Sequence, residues 1–179
     1  MKHASIQHFE YHAWANRRLF DHLDTLPDEI FTQPVQSVFP TIREVLVHIY
    51  QVDTMWLSVM SGYTFRETMA HIEEHKEKSA DRSKDELRTL FDEAERSYIS
   101  FFEQLDDPDV EMTIHHPRFG SMKSVVAELV HHVVNHGTYH RGNITAMLRQ
   151  MGQSGVPTDY VFFLAGQDPS AEKEATDSE

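Results

Sequence analysis

The chain has 179 residues and a formal charge of −13, from 16 Lys+Arg against 29 Asp+Glu. That length suits one compact domain whose core needs no staples, and an acidic surface repels phosphate backbones, which excludes nucleic acid as a partner. Cysteine is absent, which excludes disulfides, thiolate metal sites and a cysteine nucleophile and fits a reducing, cytoplasmic setting.

No apolar run reaches the roughly 18 residues of a membrane span, and the opening MKHASIQHFEYHAWANRR lacks the pattern of a secretory leader. The first predicted helix runs from about Ser5 to Leu26, with Ile6, Phe9, Ala13, Phe20 and Leu23 on one stripe and Pro27 as its stop. A second opens at Thr41-Ile42-Arg43-Glu44, which has the form of a capping box, and carries Ile42, Val45, Ile49, Val52 and Trp56 before Gly62. The polar and charged stretch 63–82 suggests a short helix around Glu67–Lys78. A third long helix follows the capping box Ser83-Lys84-Asp85-Glu86, with Leu87, Phe91, Ala94, Tyr98, Phe101 and Leu105 inward. Val110–Lys123, with Pro117 and Gly120, alternates weakly and suggests a small hairpin. The fourth long helix spans about Ser124 to Met151, and Tyr160–Leu164 is apolar enough to pack back on the bundle.

Four long amphipathic segments predict an all-α fold, a four-helix bundle over residues 1–167. The connection between the second and third long helices, roughly twenty residues, is long for antiparallel neighbours and leaves room for a crossover that makes them parallel. Residues 168–179, with five acids and one Lys, read as a disordered tail.

Thirteen histidines are the unusual feature of the composition. In the fourth long helix His132, His136 and His140 repeat every four residues on one face, and two of the three can chelate one ion side by side. A polar helix edge with spare histidines explains the same spacing. His48 flanks the apolar stripe of the second helix; alone it reads as a core histidine, but in a bundle it can join a pair from a facing helix. Three neutral ligands would leave positions open for water or substrate, the pattern of a reactive metal. His8 and His12, also four apart, read as edge or solvated positions. His71-Ile72-Glu73-Glu74-His75 matches a metalloprotease pattern formally, but a solvated charged face explains it. His115-His116 reads as loop. Glu44 and Glu128 lie one turn before His48 and His132 and read equally well as supporting acids or as capping residues; no catalytic residue is assigned.

Three segments resemble the DinB family of small bacterial metal-binding bundles: Tyr11-His12-Ala13-Trp14-Ala15-Asn16-Arg17-Arg18-Leu19, Val47-His48-Ile49, and Asn135-His136-Gly137-Thr138-Tyr139-His140-Arg141-Gly142-Asn143-Ile144. The resemblance implies a DinB/YfiT-like bundle, often a homodimer, whose ligands for a divalent metal, nickel or zinc, would be His48, His136 and His140. It implies a stress-related protein whose partner is a small-molecule substrate or a low-molecular-weight thiol. Some members are thiol transferases and others metal-dependent hydrolases; a non-catalytic metal-binding protein is the remaining reading. In a transferase, Trp14 or Asn16 would line the pocket.

Because no apolar anchor follows Leu164 and Ala165, deletion of residues 168–179 is expected to leave the melting temperature within a few degrees of the full chain in a thermal melt.

Overall fold

The computed structural model describes residues 2–118 and 120–166, and the tail expected after residue 167 lies outside the described residues. Helix α1 (Ala4–Asp24) is followed by a 3-10 turn (Asp28–Phe31), α2 (Ile42–Met60), α3 (Phe65–Ser79), α4 (Lys84–Gln104), the strands β1 (Glu111–His116) and β2 (Gly120–Val125), α5 (Val126–Gln150) and α6 (Tyr160–Gly166). The helix starts follow from their caps. Thr41 accepts from the Glu44 N–H to open α2, and Ser83 and Glu86 form the complete reciprocal box at α4. Thr64-Phe65-Arg66-Glu67 forms a second complete box, which explains why α3 extends beyond the short helix expected from its polar composition.

The long helices are α1, α2, α4 and α5, and their pairwise contacts fix the topology. Tyr50 packs on Phe91, and Tyr98 donates to the Asp53 carbonyl at 2.8 Å, so α2 and α4 run in the same direction. Phe9 stacks on Tyr98 while Phe20 meets Phe91, so α1 is antiparallel to α4. His8 lies by His131, and Asn16 by Arg141, so α1 and α5 are parallel. The arrangement is up-down-down-up, with α3 in the crossover that the long connection allowed.

The hairpin forms as expected, antiparallel with Glu111 opposite Val125 and His116 opposite Gly120. His115 and His116 are therefore strand residues and not loop, because the pairing extends to the turn. Phe163 of α6 is buried against Tyr11 and Trp14. Among the described residues no helix is long and apolar enough to cross a membrane.

Two apolar clusters fill the bundle. One joins Leu19, Leu23, Ile42, Leu46, Ile49, Leu87, Ile144 and Leu148; the other joins Phe9, Tyr98, Val126, Leu129, Val130 and Val133. Between them along α1, α2 and α5 lies a polar layer of His12, Asn16, Asp53 and Arg141, all buried. His12 is thus a core residue and not the edge or solvated position its sequence suggests, since Asp53 and Arg141 pair with it inside the bundle.

Leu46 is 0 % exposed in the first cluster. Leu46→Ala is expected to cost about 2–5 kcal/mol of unfolding free energy by urea denaturation, whereas Val38→Ala at a 69 % exposed position should change it by no more than about 0.5 kcal/mol.

Candidate metal centre

The antiparallel pairing of α2 with α5 sets His48 against the middle of α5. His48 Nε2 stands 3.1 Å from His136 Nε2. The ring centroids lie 4.9 Å apart for His48 and His136, 4.7 Å for His48 and His140, and 4.4 Å for His136 and His140. One ring nitrogen from each residue falls within 4.8 Å of the other two, and among the described residues this is the one group of three or more potential ligands that converges so closely. Two nitrogens held at 2.0–2.1 Å by one tetrahedral ion stand about 3.3 Å apart, close to the His48–His136 separation.

The cluster suits a cation rather than protons. Burial pulls the His136 imidazole from its ordinary 6.5 down to about 3, with His140, His48, His132 and His12 pushing the same way. Burial also lowers His48, against the opposing pull of Asp53, and lowers His140 together with the His48 charge. All three rings are therefore neutral at neutral pH, the form in which imidazole binds a metal. Two facing nitrogens at 3.1 Å need one proton or one cation between them, since two N–H groups collide and two lone pairs repel. Nδ1 of His136 is buried with no hydrogen-bond partner.

Phe39, in the segment before α2, lays its ring 5.0 Å from His48 and 5.7 Å from His140 and covers that side of the cluster. His48 also lines an open groove of about 360 Å³ with Phe39, Arg43, Glu44, Val47 and Gln51. Asn143 brings its side-chain amide to 3.4 Å from His140 Nδ1.

Of the three α5 histidines spaced by four, His132 stands apart. It is exposed and packs edge-on against Trp56, with its ring 6.3 Å from that of His136. His8 is half-buried beside His131 and Tyr160. His71 and His75 belong to a separate cleft between α2, α3 and α4, where Tyr50 bonds His75 Nδ1 at 2.8 Å. His75 is thus more enclosed than the solvated face its charged neighbours suggest. Glu44 lines the groove, whereas Glu128 accepts from Ser124 at the start of α5. Trp14 packs on Phe163, and Asn16 joins the polar layer behind the cluster.

That layer is the part sequence reasoning missed. Its signal was present: Ser5, Phe9, His12, Asn16, Leu19 and Leu23 alternate steps of four and three and are all buried. The same steps link Val130, Val134, Gly137, Arg141, Ile144 and Leu148 in α5. Polar residues at the centre of each stripe obscured it.

The chain matches the model of the DinB family over residues 1–175. The chain belongs to the DinB family. It is 46 % identical over 156 residues to Protein DinB of Bacillus subtilis (strain 168), spanning 87 % of this chain and 91 % of that protein. Its fold is similar to that of a DinB-like protein from Bacillus cereus ATCC 10987, with a TM-score of 0.61 at 19 % identity over 86 % of this chain and 94 % of that one. It is also similar to Sibling Lethal Factor Precursor DfsB, with a TM-score of 0.57 at 18 % identity over 86 % of this chain and 100 % of that one. The three segments that resemble the family lie on α1, α2 and α5, and the DinB-like bundle brings them to the level of the polar layer and the histidine cluster.

The depressed His136 pKa sets a pH dependence for the protein without added metal. The unfolded imidazole protonates near 6.5 and the folded one near 3, so between those values the unfolded state binds more protons. This contribution is complete above about pH 6.5 and is lost as pH falls towards 3. The urea midpoint is expected to drop between pH 7.5 and 5, and to drop less in His136→Ala; equal slopes would show that the ring titrates normally.

Proposed function

We propose that His48, His136 and His140 hold one divalent cation, nickel or zinc, and that the protein transfers a low-molecular-weight thiol onto an electrophilic small molecule. The observation that carries the reading is the convergence, within 4.8 Å, of three neutral imidazoles from two helices with no carboxylate or thiolate among them. Three neutral ligands leave the cation's charge uncompensated and its coordination incomplete, which favours an anionic ligand from outside. A divalent cation in such a set supplies Lewis acidity and keeps a coordinated thiol in its nucleophilic thiolate form.

The chain's own residues supply the surroundings. The Phe39 ring shields His48 and His140 from water and offers an apolar face to an electrophile. The groove beside His48 is of small-molecule size, and its walls carry both signs of charge: Arg43 stands 3.4 Å from Asp81, with Glu44 beside them, while the Gln51 amide donates to Ser79. The absence of cysteine means that no side chain of the protein competes with that thiol for the site or the electrophile.

Two measurements test this. Protein purified without a histidine tag or nickel column is expected to contain about one divalent ion per site, largely lost in His48→Ala, His136→Ala and His140→Ala but not in His71→Ala; equal metal in wild type and His136→Ala refutes the site. The metal-loaded protein should then consume a chromogenic electrophile with glutathione, bacillithiol or mycothiol faster than His140→Ala does. If no thiol gives a rate above that of the variant, the transferase reading fails and plain metal binding or hydrolysis takes its place.

A further inference from the structure

Four polar side chains stand behind the histidine cluster without belonging to it. His12, Asn16, Asp53 and Arg141 are 1 %, 5 %, 4 % and 3 % exposed. Burying a carboxylate and a guanidinium is costly unless the groups are paired, and an apolar filling of the same volume is often as stable. Here the pairing runs continuously from α2 through α1 to α5. An arginine N–H can only donate, so His12 Nδ1 accepts from Arg141 Nη1 at 3.2 Å, and Nε2 carries the ring proton and donates to Asp53 Oδ2 at 2.9 Å, with the Asn16 side-chain nitrogen 3.1 Å from the same Nε2. Arg141 Nη1 also donates to Asn16 Oδ1 at 2.8 Å, and its Nη2 to Thr138 Oγ1 at 3.0 Å. Both nitrogens of His12 are engaged, so it is neither a ligand nor a base.

Both ends of this chain of bonds lie on the helices that carry the cluster. Asp53 is on α2 with His48, Arg141 directly follows His140, and Gly137 directly follows His136. The His12 ring rests against the Gly137 backbone, where a Cβ would overlap its Cε1 and lie 2.5 Å from its Nδ1. Glycine at 137 therefore sets how closely α1 and α5 approach at this level. Successive residues of a helix point about 100° apart. Holding Gly137 and Arg141 against α1 thus turns their predecessors, His136 and His140, towards α2 and His48.

We propose that Asp53, His12 and Arg141 form a positioning relay that fixes the rotation of α5 against α2 and with it the mutual aim of the His48, His136 and His140 rings. For its effect on metal affinity the proposal rests on the metal reading above; for the aim of the rings it rests on the bundle geometry.

The test uses the full chain and Co(II) alone as probe, read by its visible ligand-field absorption and by competition titration. Arg141→Lys keeps the charge but loses the planar fork, and Thr138→Val removes one acceptor from an exposed position without touching the core. Arg141→Lys is expected to weaken Co(II) binding by about 10- to 100-fold and to alter the absorption band shape. Thr138→Val should act in the same direction by several-fold, and His71→Ala should change neither. A relay that serves only stability would lower the melting temperature of these variants and leave affinity and band shape at wild-type values, which would overturn the proposal. If Arg141→Lys fails to fold, Thr138→Val decides the matter by the same readouts. If the wild-type chain binds no Co(II), the metal reading fails. The relay is then judged on the imidazole nitrogen resonances of the three rings in the protein without metal: displacement in Thr138→Val supports it, and resonances identical to wild type overturn it.

Discussion

The hydrogen-bonded layer of His12, Asn16, Asp53 and Arg141 is the constraint on which the rest of the bundle depends. Apolar packing is non-directional and tolerates small rotations and slips of one helix on another. A buried carboxylate, imidazole and guanidinium tolerate neither, because a lost partner leaves a charge unpaired at low dielectric. The layer sits where the two apolar clusters meet, so it admits one alignment of α1, α2 and α5 among those that hydrophobic burial alone would allow. Tyr98 ties α4 to the same level through the Asp53 carbonyl.

The histidine cluster is the outward face of this arrangement. Its three rings come from α2 and α5, and α1 contributes none of them although it supplies the wedge that rests on Gly137. Burial removes the proton from each ring, and proximity reinforces this for His136, where neighbouring imidazoles add to the cost of charge. Neutral rings in close array make a poor proton site and a good cation site. In a chain of formal charge −13, long-range electrostatics also favours the approach of cations, which complements the local chemistry.

Topology explains why the three histidines meet where they do. Because α2 runs with α4 and against α5, the N-terminal half of α2 faces the middle of α5, and His48 reaches His136 and His140 while Trp56, two turns on, reaches His132. The antiparallel pairing thus divides the histidines of α5 between a closed cluster and an exposed neighbour. Phe39 closes the cluster on one side, and the groove beside His48 leaves another open.

Periodicity and punctuation in the sequence determined the all-α class, the positions of the long helices, the weak hairpin and the likeness to one family. Those features depend on local rules, namely which faces are apolar, which residues cap and which stop a helix, and such rules are readable along the chain. The sequence also placed His132, His136 and His140 on one face, and family resemblance, not spacing, singled out His136 and His140. Only the tertiary structure decided that His132 packs on Trp56 instead, that His12 is buried, and that Asp53 and Arg141, far apart in the chain, are linked through the His12 ring. Burial and pairing of polar groups depend on which helices become neighbours and in which direction they run. A stripe interrupted by His, Asn, Asp or Arg looks the same in sequence whether water or another helix satisfies it.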